Sequence, residues 1–217
     1  MANHLDLEEQ EQLDELKHFW SRYGNLITGA IIVVLGSLAS WNGYQYWQRT
    51  QSTQAAALFE EVERVVSSND TDKAERAFSE MKERFPRTVY APRAGLLVAK
   101  MAIDADKVDS AKAALSWVSE HAVDNAYVAI ARLRLSGVLM QGKAYDEALK
   151  TLSGDMPKEF SGLVADRRAD VLALQDKKQE AIAEYQKAYK ALDDRLEYRR
   201  LVEVKLNALG ATVESTP

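Results

Sequence analysis

Between Arg22 and Arg49 the chain carries no charged residue, and this window, Tyr23–Gln48, constrains what the rest can be. At helical rise it is about 39 Å long, more than the roughly 30 Å of a bilayer's hydrocarbon core. Its centre, residues 26–39, is mostly Leu, Ile, Val, Ala and Gly. Aromatic rings favour the headgroup level, so Trp20 and Tyr23 on one side and Trp41, Tyr44 and Trp47 on the other read as the interface belts of a spanning helix. Asn25, Asn42 and Gln45 fall near the ends, where polar groups cost less than at mid-depth. A buried core helix of a water-soluble protein is the first alternative, and the length, the lack of charge and the paired belts argue against it. A cleaved signal peptide is the second. It calls for a short basic leader, a brief apolar run and a small-residue cleavage site. Here the leader is acidic, and Ser37 and Ala39 are followed at once by anchoring aromatics.

The expected division is therefore a tail over residues 1–22, a transmembrane helix over 23–48 and a domain over 49–217. About 168 residues beyond the span suffice for a core of their own. After Arg49 there are 27 acidic and 25 basic residues, a near balance that implies no basic face large enough for nucleic acid. The chain has no cysteine, which is compatible with an oxidising compartment without requiring one. In the tail, Asp6, Glu8, Glu9, Glu11, Asp14 and Glu15 outweigh Lys17, and Leu13, Leu16 and Trp20 recur at helical spacing. A short amphipathic helix lying on the membrane before the span is expected from that stripe. Lys17 and Arg22 precede the span, while Arg49 and the more distant Arg64 follow it, a slight bias for an inside tail. Gly29, Gly36 and Gly43 are spaced by seven and share a helix face with Ser40. Small residues admit a second membrane helix; the competing reading is that glycine is simply common in such helices.

No Gly or Pro lies between Tyr44 and Pro86, so the span is expected to run on as one helix through 51–67. There Leu58, Phe59, Val62, Val65 and Val66 form one apolar stripe. Breaks near residues 69–71, 85–88, 104–107, 122–125, 142, 154–157, 175–177 and 193–195 divide the remainder into helices without convincing strands. Asp176 and Asp194, each three residues before a Gln or Glu, have capping-box spacing, and Pro157 suits a first helical position. Ala74, Ala111, Ala148 and Ala181 mark a repeat with intervals of 37, 37 and 33 residues. Four residues after each stands a large side chain: Phe78, Leu115, Leu152 or Tyr185. Twelve before each stands Val62, Ala99, Ser136 or Ala169, and nine before stands Val65, Ala102, Leu139 or Leu172. Small residues on paired helices let the backbones approach, and the large residue fills the groove to the next pair. The pattern resembles the tetratricopeptide repeat, although the expected early tryptophan is missing and two spacings exceed that repeat's length. The fold class is thus all-α: one N-terminal transmembrane helix followed by a TPR-like solenoid of four helical hairpins, with a last helix over 196–209 as cap. An unrelated helical bundle is the alternative. Solenoids bind polypeptide segments along their faces, and Tyr90, Tyr127, Tyr145 and Tyr198 are candidate contacts unless they pack between repeats.

Catalytic signals are missing. Of the three histidines only His121 lies beyond the span, and no Cys/His cluster has metal-ligand spacing. Nucleophile elbow, P-loop and dinucleotide glycine motif are all absent. The adjacent pairs Glu60–Glu61 and Asp193–Asp194 diverge on a helix, and the run Asp166, Arg167, Arg168, Asp170 reads as an exposed or self-paired face. No enzyme and no cofactor is expected.

One family fits the order of parts: the acidic tail, Leu16-Lys17-His18-Phe19-Trp20, Tyr23-Gly24-Asn25, the span, its closing Trp41-Asn42-Gly43-Tyr44-Gln45-Tyr46-Trp47, and the hairpins. With the stretches Ala165–Asp170 and Gln175–Gln179, the chain resembles the YfgM family, ancillary subunits of the bacterial Sec translocon. The resemblance implies a single-pass inner-membrane protein with its tail in the cytoplasm and its domain in the periplasm. It implies association with the SecYEG channel and with a membrane-anchored periplasmic chaperone of the prolyl-isomerase type, to which emerging polypeptides are handed. It brings no catalytic residues. A regulatory anchor whose acidic tail holds a cytoplasmic signalling protein, or a scaffold for envelope machinery, remains the alternative.

Overall fold

A computed structural model describes residues 7–212. All regular structure among them is helical: α1 (Leu7–Ser67), α2 (Thr71–Arg84), α3 (Tyr90–Asp104), α4 (Val108–His121), α5 (Asn125–Gln141), α6 (Tyr145–Thr151), α7 (Ser161–Leu174), α8 (Lys178–Ala191) and α9 (Glu197–Ala208), with a single 3-10 turn at Lys158–Phe160. The chain forms two compact units, one ending at Thr50 and the other beginning at Gln51.

α1 has no break within its 61 residues. The stripe Leu13–Leu16–Trp20 is therefore the first part of one long helix and not a separate surface helix. The sequence offers no Pro in this stretch to stop it, and its first glycine, Gly24, lies under the indole of Trp20. The mid-span Ser37 hydroxyl donates back to the Val33 carbonyl at 2.7 Å, which satisfies it without a partner.

In the second unit the four register alanines, Ala74, Ala111, Ala148 and Ala181, are fully buried. So are Val62, Ala99, Ser136 and Ala169, twelve residues upstream, and Phe78, Leu115, Leu152 and Tyr185 are buried beside them. The hairpins are the end of α1 with α2, α3 with α4, α5 with α6, and α7 with α8. From α2 onward successive helices pack on their neighbours, the end of α1 joins them through Ala55, Leu58, Phe59 and Val62 in the first core, and α9 closes the row against α8.

Each hairpin turns in the same way. Asn69, Asp106, Lys143 and Asp176 stand five residues before the register alanines, with φ of 60°, 57°, 60° and 58°. The next N–H, from Asp70, Lys107, Ala144 or Lys177, reaches back to the carbonyl of Val65, Ala102, Leu139 or Leu172 at 3.4, 2.8, 2.9 or 3.0 Å. These are Schellman closures. The carbonyl of that same residue then accepts the register alanine's N–H and begins the second helix. One residue thus ends one helix and starts the next, and this explains why Asp176 does not cap α8. It occupies the left-handed position, which Asn and Asp tolerate better than most residues, and the N-cap is Lys177, without a side-chain bond. Asp194 does not cap α9 either; the turn is held by Asp193, whose carboxylate accepts the Arg195 N–H at 2.9 Å. Pro157 stands one residue before the 3-10 turn and not inside it. True side-chain N-caps are Asp70, bonded to Lys73 N–H, and Asp124, bonded to Ala126 N–H.

Candidate interaction surfaces

The span presents its apolar side chains outward on every side. Leu26, Ile32, Val33, Leu35 and Leu38 are between 54% and 72% exposed, and only 6% of its most apolar stretch is buried. A core helix would be covered by its own protein, so that alternative fails on burial. Trp20, Tyr23, Trp41, Tyr44 and Trp47 are exposed, with Phe19 against Tyr23 at 5.1 Å and Tyr44 against Trp47 at 6.1 Å between ring centroids. From Tyr23 to Trp41 is 18 residues, about 27 Å along a helix. Gly29, Gly36 and Gly43 each face open space, with nothing within 4 Å of where a Cβ would stand, and Ser40 is exposed beside them.

The tyrosines are mainly packing groups. Tyr90 lies against Phe59 with centroids 5.7 Å apart, and Tyr127 and Tyr145 are half-buried on the first core. Tyr198 donates its hydroxyl to Asp166 at 2.6 Å.

That bond belongs to a polar clamp, which overturns the reading of the Asp166–Asp170 run as a solvated face. Asp166 is 1% exposed. Lys205 from α9 reaches its two oxygens at 2.8 and 3.0 Å and Asp170 at 2.7 Å, and Tyr185 from α8 donates to Asp170 at 2.7 Å. Burial, then the hydrogen-bonded carboxylates, push the Tyr185 and Tyr198 hydroxyls far above the ordinary phenol range. The clamp stands in a second, smaller core that is largely alanine: Ala165, Ala169, Ala181 and Ala188 with Leu172, Val202 and Leu206. Val202 and Leu206 of α9 are fully buried in this core, and Tyr198 and Lys205 of the clamp add polar bonds from α9 to α7.

An open groove of about 600 Å³ runs over α3, α5 and α7. Ile103, Met140 and Leu174 give it apolar walls, and Arg134, Lys143 and Arg167 give it cations. Arg134 and Arg167 each stand fourteen residues before a register alanine, Ala148 and Ala181, so successive repeats present them on one face. Sequence reading passes over Arg134 and takes Arg167 only as part of a charged run, since neither carries a signal of its own until the repeat register is extended to it.

Comparison with known proteins follows the same co-linear order. The tetratricopeptide repeat-like domain family matches residues 17–211, from within the tail to just beyond α9. A protein of Neisseria gonorrhoeae named ancillary SecYEG translocon subunit is 31% identical over 96% of this chain and 100% of its own length. The chain belongs to the YfgM family. Relatives bearing the same name in Haemophilus influenzae and Escherichia coli K12 are 28% and 25% identical, covering 94% and 93% of this chain and 98% and 97% of their own. No solved structure matches it significantly. Membership in the YfgM family accounts for the joint presence of span and hairpins, since the similarity crosses both.

Proposed function

We propose that this chain is a non-enzymatic accessory subunit of the Sec translocon, held in the bacterial inner membrane by residues 23–48, with the tail 1–22 in the cytoplasm and the hairpin domain 49–217 in the periplasm. The observation that carries this reading is similarity along almost the whole chain to proteins named ancillary SecYEG translocon subunits. The span suits the role, because a single uncovered apolar helix of this length needs lipid or another membrane helix around it. Gly29, Gly36, Ser40 and Gly43 are the proposed contact face toward a channel helix, and Trp20, Tyr23, Trp41, Tyr44 and Trp47 the interface anchors. The hairpins are the arm that meets a membrane-anchored periplasmic chaperone of the prolyl-isomerase type and helps pass emerging polypeptide to it.

Photocrosslinking in cells, from probes placed along the span and across the hairpins, tests this. Adducts with channel subunits from the span and with a periplasmic chaperone from the hairpins are expected. Adducts with cytoplasmic proteins through the tail, and none with the channel, would replace this reading by the regulatory-anchor one.

A further inference from the structure

We propose that the corner between α2 and α3, centred on Arg87 and Val89, is a docking site for the anionic lipid surface of the membrane that holds the chain. The proposal rests on reading residues 23–48 as the span, and it gives the hairpin domain a lipid contact of its own.

Connectivity brings this corner to the bilayer. Gln51 opens its unit four residues after Trp47 of the second aromatic belt, about 6 Å along a helix. The chain itself therefore holds the rim of the unit at which it enters close to the headgroups. From that rim the end of α1 runs to the turn at Asn69, and α2 returns for 14 residues, about 21 Å. Residues 85–89 thus stand on the entry rim, while the hairpin turns at Asn69 and Asp106 stand on the opposite one. Two contacts fasten the corner to the entering helix. Tyr90 lies on Phe59 with centroids 5.7 Å apart, and the Arg93 guanidinium is 4.8 Å from the centre of the same ring.

Charge names the surface. Over residues 80–93, Lys82, Arg84, Arg87 and Arg93 stand against Glu80 and Glu83, and Glu80 is bonded to Arg84. From Arg84 the chain has no acidic residue until Asp104, in a unit whose acids outnumber its bases. Basic side chains held next to an anionic membrane each strengthen attachment about fivefold. The next corner of the same rim has Glu120 and Asp124 beside Val123 and lacks this charge.

Shape makes the corner a contact. Phe85 is buried and anchors the turn from within. Its carbonyl accepts the Thr88 N–H at 3.1 Å and the Thr88 hydroxyl at 2.9 Å, which fixes the backbone. Arg87 is thereby turned to solvent, and Val89 is 57% exposed. An apolar side chain beside an arginine suits the headgroup boundary, where the guanidinium meets phosphate and the methyl groups enter the upper acyl region.

The test reconstitutes the full chain, with Val89→Cys carrying an NBD fluorophore, in vesicles that contain a headgroup spin-labelled lipid. Val108→Cys with the same label is the control, a valine on the opposite rim. The vesicles are phosphatidylcholine mixed with phosphatidylglycerol, or phosphatidylcholine alone. Quenching is expected at position 89 in the mixed vesicles, falling as salt is raised, and is expected neither at 108 nor in phosphatidylcholine alone. Arg87→Gln should lower the docked-to-free ratio about fivefold. Equal quenching at 89 and 108, or equal quenching with and without phosphatidylglycerol, would overturn the proposal. Protection of position 89 that arises only when purified channel is added would assign the corner to a protein partner and overturn it as well. A chain that fails to float with the vesicles removes the span and the corner together; one that floats without quenching at 89 removes the corner alone.

Discussion

Asp166 is where a single residue changes the picture. In the sequence it belongs to a run of four charges within five positions, the ordinary mark of a wet helix face. Its partners Tyr198 and Lys205 lie 32 and 39 residues further on, and no local pattern encodes them. Removing one member of a buried charge pair strands the others. Asp166→Ala is expected to cost about 2–3 kcal/mol in urea unfolding, because Tyr198 loses its acceptor while Lys205 retains Asp170. Asp170→Asn should cost less, since an amide oxygen still accepts from Tyr185. The same cluster gives a pH dependence. Tyrosines whose folded pKa is raised keep their protons when the unfolded chain has lost its own, so folding binds more protons and stability falls with rising pH. The stabilisation is complete below the ordinary phenol value of about 10 and declines above it. Tyr198→Phe should flatten the alkaline fall of the melting temperature, and an unchanged slope between pH 9 and 11 would refute this assignment.

Helix pairs show how much the register conveys and where it stops. Buried alanines at Ala74, Ala111, Ala148 and Ala181 are readable from sequence because small residues recur wherever two backbones must approach. The positions of the hairpin turns follow from the same register, but their chemistry does not: Asp176 looks like a cap in sequence and is instead the left-handed end of α7. Gly95 shows the tightness of the pairing. A Cβ there would lie 2.8 Å from Phe78 Cζ and nearer still to Val118 Cγ2. Although Ala is favoured over Gly by about 1 kcal/mol in a helix, Gly95→Ala should destabilise by about 1–3 kcal/mol through overpacking, measurable by urea unfolding. α9 is a further consequence of the repeat. It ends like the first helix of a hairpin, with Gly210 at φ 72° and the Ala211 N–H on the Leu206 carbonyl at 3.1 Å. It lies on α8 as the next repeat's first helix would, and so serves as the cap. In a row of nearest-neighbour contacts, loss of an end unit is felt most by the adjacent one. Ending the chain after Leu192 should speed hydrogen exchange in α7 and α8 by orders of magnitude while α3 and α4 keep their protection. Uniform loss across all helices would mean that the two cores are not separable.

At the scale of the whole molecule the decisive contrast is between two environments in one chain. From Leu13 to Trp47 most large apolar side chains are exposed; from Gln51 onward most of them are gathered into the two cores. This contrast is legible in the sequence, because an uncharged apolar window as long as a bilayer is thick suits lipid far better than water. The groove cations are not legible there, since their meaning depends on neighbours in other repeats. Two solvents imply that the parts separate by solvent. A chain beginning at Gln51 should be soluble without detergent and retain its helical circular dichroism, while the full chain should stay with membranes through an alkaline carbonate wash. Sidedness can be read on the same material, because the chain has no cysteine and any introduced one is unambiguous. Gln12→Cys and Asp109→Cys both place a thiol at an exposed position. In intact cells with a permeable outer envelope, a membrane-impermeant maleimide should label Cys introduced at 109 and spare the one at 12, with both labelled after detergent. The reverse pattern would invert the chain in the membrane and remove the hairpins from the compartment in which they are proposed to meet emerging polypeptide. Labelling at both positions before detergent would deny the span itself. The weak excess of Lys17 and Arg22 over Arg49 gives only a slight push toward the expected orientation, so moving Arg22 beyond the span, as Arg22→Gln with Gln51→Arg, should yield a mixed population by the same labelling.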